Sequence, residues 1–275
     1  MRTNLVAEIG INHNGDLSIA KKLIDAACLG GCKYVKFQKR DIDVVYTKEE
    51  LDKFRESPWG TTNREQKNGL EFGESEYNAI DSYCKEKGIK WFASPWDINS
   101  VKFINQYDIP YIKVASASML DFPLLEEIKA TGKPIVVSVG MLSKEELDTS
   151  LVFLGGNVSH ILSCTSTYPT KPSDMNMNKI KTLFSLYGEK YKIGFSNHHQ
   201  GITFILMAST LGVDMIEYHI TLDRALYGSD QSASIELPRV IRIKSTLEDM
   251  ESSWGDGEIK CLPSEVPIRE KLMKK

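Results

Sequence analysis

Along the chain, apolar runs of five or six residues alternate with longer segments whose apolar side chains return every three or four positions. The runs are LVAEI (5–9), KYVKFQ (33–38), IKWFAS (89–94), YIKVAS (111–116), PIVVSV (134–139), SHILSC (159–164), YKIGFS (191–196) and MIEYHI (215–220). Short runs of this kind, bounded by glycine and polar residues, read as buried strands. The segments between them, such as LSIAKKLIDAACLGG and DFPLLEEIKATGK, carry the helical period. Gly30, Gly88, Gly132 and Gly212 stand where these helices should close through a left-handed residue. Eight strands alternating with helices is the count of a (β/α)8 TIM barrel, an α/β fold in a single domain. A doubly wound open sheet uses fewer strands and a glycine-rich cofactor turn. Here the first strand runs into EIGINHNGD, which is neither a dinucleotide fingerprint nor a P-loop. The pattern places the barrel domain at residues 1–250 and an exposed tail, rich in glycine, proline and charge, at 251–275.

One connection breaks the rhythm. From Lys39 to about Gly73 the chain is too long for an ordinary strand-to-helix loop, and it mixes aromatics and charges with a Pro-Trp-Gly turn. Following the second strand, it is expected to carry binding or covering residues.

Composition narrows the function. A hydrophobic share of 41% and a charged share of 26% are ordinary for a globular domain. A net charge of −3 leaves no basic stripe, so neither nucleic acid nor an anionic membrane is an expected partner. Positive charge for an anionic substrate must therefore be gathered locally, in a cleft. No apolar run approaches the length of a membrane span, and the opening MRTNLVAEIG enters a strand at once rather than a signal segment. The five cysteines have no paired metal-type spacing, so reduced thiols in a cytoplasmic protein are expected.

Barrel enzymes place their chemistry at the C-terminal ends of the strands. Reading each exit in turn gives Glu8, then Lys36 with Gln38, Ser94, Lys113 with Ser116, and Ser138. The last three give Thr165 with Ser166, Ser196 with His198, and Glu217 with His219. Lysines and hydroxyls on one rim suit an oxyanion such as phosphate, through point charge and donated hydrogen bonds. Taken singly, a strand lysine could also reach the barrel end as a structural group, and a serine at a strand end is commonly a turn residue. His198 and His219 leave the seventh and eighth strands, which are neighbours in a closed barrel; the pair could hold a divalent metal or be structural. His199 should point away from His198, His160 lies within a strand, and His13 lies in the first loop. Glu8 could bind a sugar hydroxyl, orient water or act as a base, or pair with a barrel lysine. Asp230, after the last strand, is a second candidate carboxylate. Cys164 lacks an evident base and reads as a small buried thiol.

With these residues the chain resembles the sialic acid synthases, enzymes that condense phosphoenolpyruvate with N-acetylmannosamine or a related N-acylated amino sugar. The matching pieces run in order: EIGINHNGD, YVKFQ, SPWG…LEF, FASPWD, YIKVASAS, GKPIVVSVGM, LSCTSTYPT, GFSNHHQGI, IEYHITLDR, GSDQSAS and LPSEVPIREKL. The resemblance implies a phosphoenolpyruvate site of Lys36, Lys113, Ser116, Ser138, Ser166 and Ser196. It implies a divalent metal, manganese with magnesium or cobalt as alternatives, on His198 and His219. It further implies catalytic roles for Glu8 and Asp230 and sugar contacts from Gln38 and Tyr168, with which we group Ser94. The implied reaction is an aldol-like attack of phosphoenolpyruvate C3 on the open-chain sugar aldehyde, water addition at C2, and loss of phosphate by C–O cleavage.

Three departures stand out. Ser118 occupies a position where the family often has a sugar-contacting glutamate, and SNH, with Asn197, replaces the common SDH. The sequence ends at Lys275 without the C-terminal antifreeze-like domain of many members, on which their dimer depends; a homodimer is the implied assembly. Two alternatives remain at this level. One is a related synthase acting on a phosphorylated sugar, which needs a further basic subsite for which Arg40, Arg55 and Arg64 are the candidates. The other is a non-catalytic barrel that binds sugar or phosphate.

Overall fold

The computed structural model describes residues 3–273. Eight parallel strands close into a barrel: β1 (Asn4–Gly10), β2 (Tyr34–Lys39), β3 (Lys90–Pro95), β4 (Ile112–Val114), β5 (Ile135–Ser138), β6 (Val158–Cys164), β7 (Lys192–Asn197) and β8 (Met215–Thr221). Each pairs with the next, and β8 returns to β1 in a register that runs from Asn4↔Met215 to Glu8↔His219. A two-residue strand, Ile235–Glu236, adds to the end of β8. The strands reproduce the eight apolar runs, each boundary moving by two residues at most.

Those runs form strands because both of their faces are covered, one by the barrel interior and one by helices. All seven residues of β8 are buried, as are all of β1 after Asn4. Outside the sheet, Phe37, Tyr77, Trp91, Phe103 and Tyr107 pack edge-on or tilted with ring centroids 5.2–6.3 Å apart. Removing one such ring, Tyr77 for instance, is expected to cost about 3–5 kcal/mol. Asp16 caps the first helix, Leu17–Leu29, by accepting from the amides of Ser18 and Ile19. Left-handed closure occurs at Gly88, Gly132 and Gly212, as expected from sequence. At the first helix it falls on Gly31 (φ 69°) rather than on Gly30, whose φ is −74°. Gly30 is instead held small by a close approach: a Cβ there would lie 2.3 Å from Val240 Cγ1 on the helix Leu237–Ser253.

The segment after β2 is not a loop. It contains two short helices (Ile42–Val45 and Lys48–Leu51), a hairpin (Phe54–Ser57 with Gly60–Thr62) and a helix, Asn63–Leu70. Two reciprocal capping boxes, Thr47 with Glu50 and Thr62 with Glu65, start the second and last of these helices. Both are legible in the sequence as threonine followed three residues later by glutamate. Trp59, in the hairpin turn, meets Tyr227 of the loop after β8 at 5.7 Å, so this segment walls one side of the barrel mouth.

The last barrel helix ends at Ser253, and Trp254–Met273 is exposed throughout. At the opposite, N-terminal end of the barrel, His160 Nε2 lies 3.0 Å from Asp214 Oδ2. The Asp214 carbonyl accepts from the Asn4 amide at 2.8 Å. That network ties β1, β6 and β8 together and gives His160 a structural place.

Candidate active site

Strand register decides which side chains meet at the C-terminal mouth. Glu8 is level with Lys36 on β2 and with His219 on β8, Ser196 with Glu217, and Gln38 with Ser94. Together they line a cavity of about 210 Å³. Hollows of about 300 and 650 Å³ lie at the other end of the barrel. Their lysines are exposed or half-buried, and their single histidine, His160, is committed to Asp214. Among the described residues, the convergent chemistry of these cavities is at the C-terminal end.

The floor of the cavity is a balanced charge cluster. Lys36 Nζ sits 2.9 Å from Glu8 Oε2 and 3.7 Å from Glu217 Oε1, while Lys113 Nζ is 3.9 Å from Glu217 Oε1. All four groups are almost wholly buried. Burial alone would neutralise them, yet burial and pairing pull in opposite directions. For Glu217, burial raises the carboxyl, but Lys113 and Lys36 outweigh it and hold the group down at about 2. For Lys36, burial lowers the ammonium, and Glu217 and Glu8 more than restore it. Lys113 remains lowered, because burial and the neighbouring Lys36 exceed the help from Glu217. Hydroxyls complete the shell: Lys113 donates to Ser138 Oγ at 2.7 Å, Lys36 to Ser94 Oγ at 3.2 Å, and Ser196 to Glu217 at 3.1 Å. Gln38 donates to Glu8 Oε1 at 2.8 Å, which fixes that carboxylate in the mouth.

Beside Lys113 the wall narrows around Gly140. Its amide donates to Ser116 Oγ at 2.9 Å, and Cys164 Sγ lies 3.1 Å from the same oxygen. A Cβ on Gly140 would stand 2.3 Å from Ser166 Oγ, 2.9 Å from Cys164 Sγ and 3.1 Å from Ser116 Oγ. Hydroxyls, a thiol and a backbone amide thus converge where only glycine leaves space, an arrangement suited to an oxyanion. Behind it, Lys179 donates to the Cys164 carbonyl at 2.6 Å.

The histidines occupy the opposite side. His198 Nδ1 lies 2.7 Å from the Thr165 carbonyl, which can only accept, so Nδ1 carries the proton and the Nε2 lone pair is left to the cavity. Tyr168 Oη is 3.1 Å from that Nε2, its ring against the imidazole at 4.2 Å. Burial, and then the adjacent His219, lower His198 to about 4, which keeps it neutral. The two rings are 5.6 Å apart, and His219 Nδ1 is buried without a hydrogen-bond partner, 3.7 Å from Asp230 Oδ2. Among the described residues no three histidine, cysteine or carboxylate side chains converge on one point. This donor set therefore fits a divalent cation held by two imidazoles, its remaining positions filled by oxygen from substrate and water.

Of the residues singled out in the sequence, Glu8, Lys36, Gln38, Ser94, Lys113, Ser116, Ser138, Ser166, Tyr168, Ser196, His198 and His219 all line this cavity. Asp230 does not; it lines an adjoining cavity of about 220 Å³ and reaches the first only through His219. His199 turns away to the Thr170 carbonyl at 2.9 Å. Ser118 is buried and does not line the cavity. Cys164 is buried, as read from sequence, but it also lines the cavity. Sequence reasoning placed Glu217 on the rim beside His219 but gave it no role, whereas it is the carboxylate both lysines face. It also missed Trp96, which lines both cavities and whose only signal was its place just beyond β3. Of the three arginines considered for a second basic subsite, Arg40 lines the adjoining cavity and the other two do not. Arg64 pairs with Asp43 on the surface, and Arg55 reaches Tyr227.

Comparison with known proteins gives concordant results. The family model described as the NeuB family matches residues 23–259. The N-acetylneuraminate-9-phosphate synthase of Mus musculus is 35% identical over 275 residues, covering 98% of this chain and 76% of that protein. The N,N'-diacetyllegionaminic acid synthase of Legionella pneumophila is 31% identical, covering 96% and 77%. The crystal structure of an N-acetylneuraminic acid (sialic acid) synthetase from Leptospira borgpetersenii, in complex with citrate, superposes with a TM-score of 0.82. That pair shares 28% identity and covers 100% of this chain and 94% of the other.

Proposed function

The chain belongs to the NeuB family, and from that premise we propose that it condenses phosphoenolpyruvate with an N-acylated amino sugar and water, giving a nonulosonic acid and phosphate. The observation that carries this reading is the cavity's polarity. One end offers two buried lysines and a hydroxyl-lined cradle for a small multiply charged anion, and the other offers two imidazoles and Tyr168.

In this reading Lys36 and Lys113 hold the anionic groups of phosphoenolpyruvate, and Ser116, Ser138, Ser166 and Ser196 donate to its oxygens. Both lysines enter already partnered by Glu8 and Glu217, so little rearrangement is needed when the anion arrives. His198 Nε2 and His219 would hold a divalent cation, which supplies polarisation of the sugar aldehyde. Gln38 and Tyr168 orient the sugar beside it. A bond forms between C3 of phosphoenolpyruvate and the aldehyde carbon as the alkene electrons move. The aldehyde oxygen takes up a proton, with Glu8 in the cavity and Asp230 behind His219 as the candidate acids. Water adds at C2 and releases one proton; the C–O bond to phosphate then breaks with its electron pair on the departing phosphate, which takes up the remaining hydroxyl proton as C2 becomes the ketone. Holding the two carbons together in a walled cavity supplies the orientation that the reaction needs.

The test is formation of the nonulosonic acid, followed by mass spectrometry. Phosphoenolpyruvate and Mn2+ are supplied with N-acetylmannosamine or its 6-deoxy diacetamido analogue. Turnover should require one sugar and be lost with chelator. His219→Ala should lower turnover by at least about 100-fold and weaken Mn2+ binding measured by calorimetry. Turnover that survives both chelator and His219→Ala would refute the metal-assisted scheme.

A further inference from the structure

The anion cradle rests on the corner where β6 ends, and one cation behind that corner has no role in the scheme above. Lys179 enters from the helix Asn178–Tyr187, which follows the loop after β6. Its Nζ donates to the Cys164 carbonyl at 2.6 Å, while Cys164 and Ser166 line the cavity. Lys179 itself does not line it.

Three penalties meet at this ammonium. It is half-buried, and burial lowers it below the ordinary lysine value, with the Cys164 sulfur opposing. It stands in the first turn of a helix, where the positive end of the helix dipole disfavours a cation. Among the described residues no carboxylate lies within ion-pair distance of it. A neutral donor would satisfy the Cys164 carbonyl without these costs, so the hydrogen bond alone does not account for a charge at this place. An anion in front of the corner does. The cradle around Gly140 supplies the place for one, because the hydroxyls of Ser116 and Ser166 and the Gly140 amide converge there. Burial lowers Lys113 as well, and the Cys164 sulfur is among the groups opposing it there too. The corner therefore lies near two cations, one inside the cavity and one behind its wall.

We infer that Lys179 is a positioning residue for the anion of phosphoenolpyruvate: it holds the β6 corner so that Cys164 and Ser166 flank Gly140, and it lends the cradle positive charge from behind. The inference rests on the condensation reading and adds to it a cation that touches no substrate.

The experiment measures KM for phosphoenolpyruvate, at saturating sugar and Mn2+, in the parent and in Lys179→Met, Lys179→Gln and Lys179→Arg. Lys179→Met should raise KM by roughly tenfold with kcat changed by less than about twofold, the mark of lost binding rather than lost chemistry. Lys179→Gln keeps a donor for the carbonyl but no charge, and should show most of that rise. Lys179→Arg keeps the charge and should stay within about threefold of the parent. Binding of inorganic phosphate, followed by calorimetry without sugar, should weaken in the same order. A merely structural lysine would lower the urea midpoint of Lys179→Met and leave KM and phosphate affinity as in the parent, which would overturn the inference. A parental KM in Lys179→Gln would overturn it as well, since the charge would then contribute nothing. If no product forms with any sugar, the condensation reading fails and phosphate calorimetry alone decides. Affinity that falls in Lys179→Met and Lys179→Gln and returns in Lys179→Arg supports the inference, and equal affinity in all four proteins overturns it.

Discussion

Replacing Glu217 by glutamine isolates the charge balance on which the anion site depends. The carboxylate lies 3.7 Å from Lys36 Nζ and 3.9 Å from Lys113 Nζ, with all three groups buried. At an effective dielectric constant of 20, each of those pairs is worth about 4 kcal/mol of attraction, much of it offset by the desolvation of the carboxylate. Breaking a buried ionic cluster by removing one partner typically costs about 3–5 kcal/mol, because a charge is left uncompensated. Glu217→Gln should therefore destabilise the protein by that amount at pH 7.5, read as a fall in the urea midpoint at unchanged slope. Two further signs distinguish this cause from lost packing. Adding inorganic phosphate or phosphoenolpyruvate should restore more stability to the variant than to the parent, because the empty site then carries a net positive charge. Raising the pH from 7.5 toward 10 should also narrow the gap. Lys113 is already lowered by burial, and without Glu217 it falls further below its unfolded value of 10.5. In that window the unfolded chain binds more protons than the folded one, so the variant's stability rises with pH. A loss under about 1 kcal/mol, or a gap indifferent to both anion and pH, would refute this account.

Gly140→Ala should raise the KM for phosphoenolpyruvate by roughly 10–100-fold with little change in kcat, since its Cβ would enter the cradle of Ser116, Cys164 and Ser166; the estimate follows from about 1–3 kcal/mol for overpacking. Steady-state kinetics at saturating sugar measure it, and an unchanged KM would move the anion elsewhere. His13 predicts acid sensitivity of the fold itself. Burial lowers it from 6.5 to about 3, and its Nδ1 accepts from the Gly15 amide at 3.1 Å, a bond that protonation would break. A histidine with a depressed folded value stabilises above pH 6.5 and loses that contribution as pH falls toward 3, about 2 kcal/mol by pH 5. Urea unfolding at pH 8 and pH 5 should show that loss, and His13→Asn, which keeps an acceptor without titrating, should shrink it. An equal pH dependence in the variant would show that other groups carry the effect.

Much of the fold was legible because burial on both faces forces continuous apolar runs, and eight such runs alternating with helical periods admit few closed architectures. The rim was legible for a related reason. A lysine or glutamate at the end of an otherwise apolar strand is costly unless partnered, so Glu8, Lys36 and Lys113 announced a site. The partners themselves were not announced. Lys36 and Glu217 lie 181 positions apart and meet only because β8 closes on β1, and no local pattern encodes that register. The same closure sets His219 beside Glu8 and sends Asp230 into the neighbouring cavity. Within residues 39–73 the capping boxes could have been read, but the placing of Arg40 against Trp96, and of Lys67 in the same cavity, could not. It arises from packing between segments joined to different strands. The sequence by itself determined which residues are strand, helix and rim, because those follow from local period and polarity. The tertiary structure alone decided which charges neutralise one another and which donors are left without an acceptor, because that depends on distances set by barrel closure.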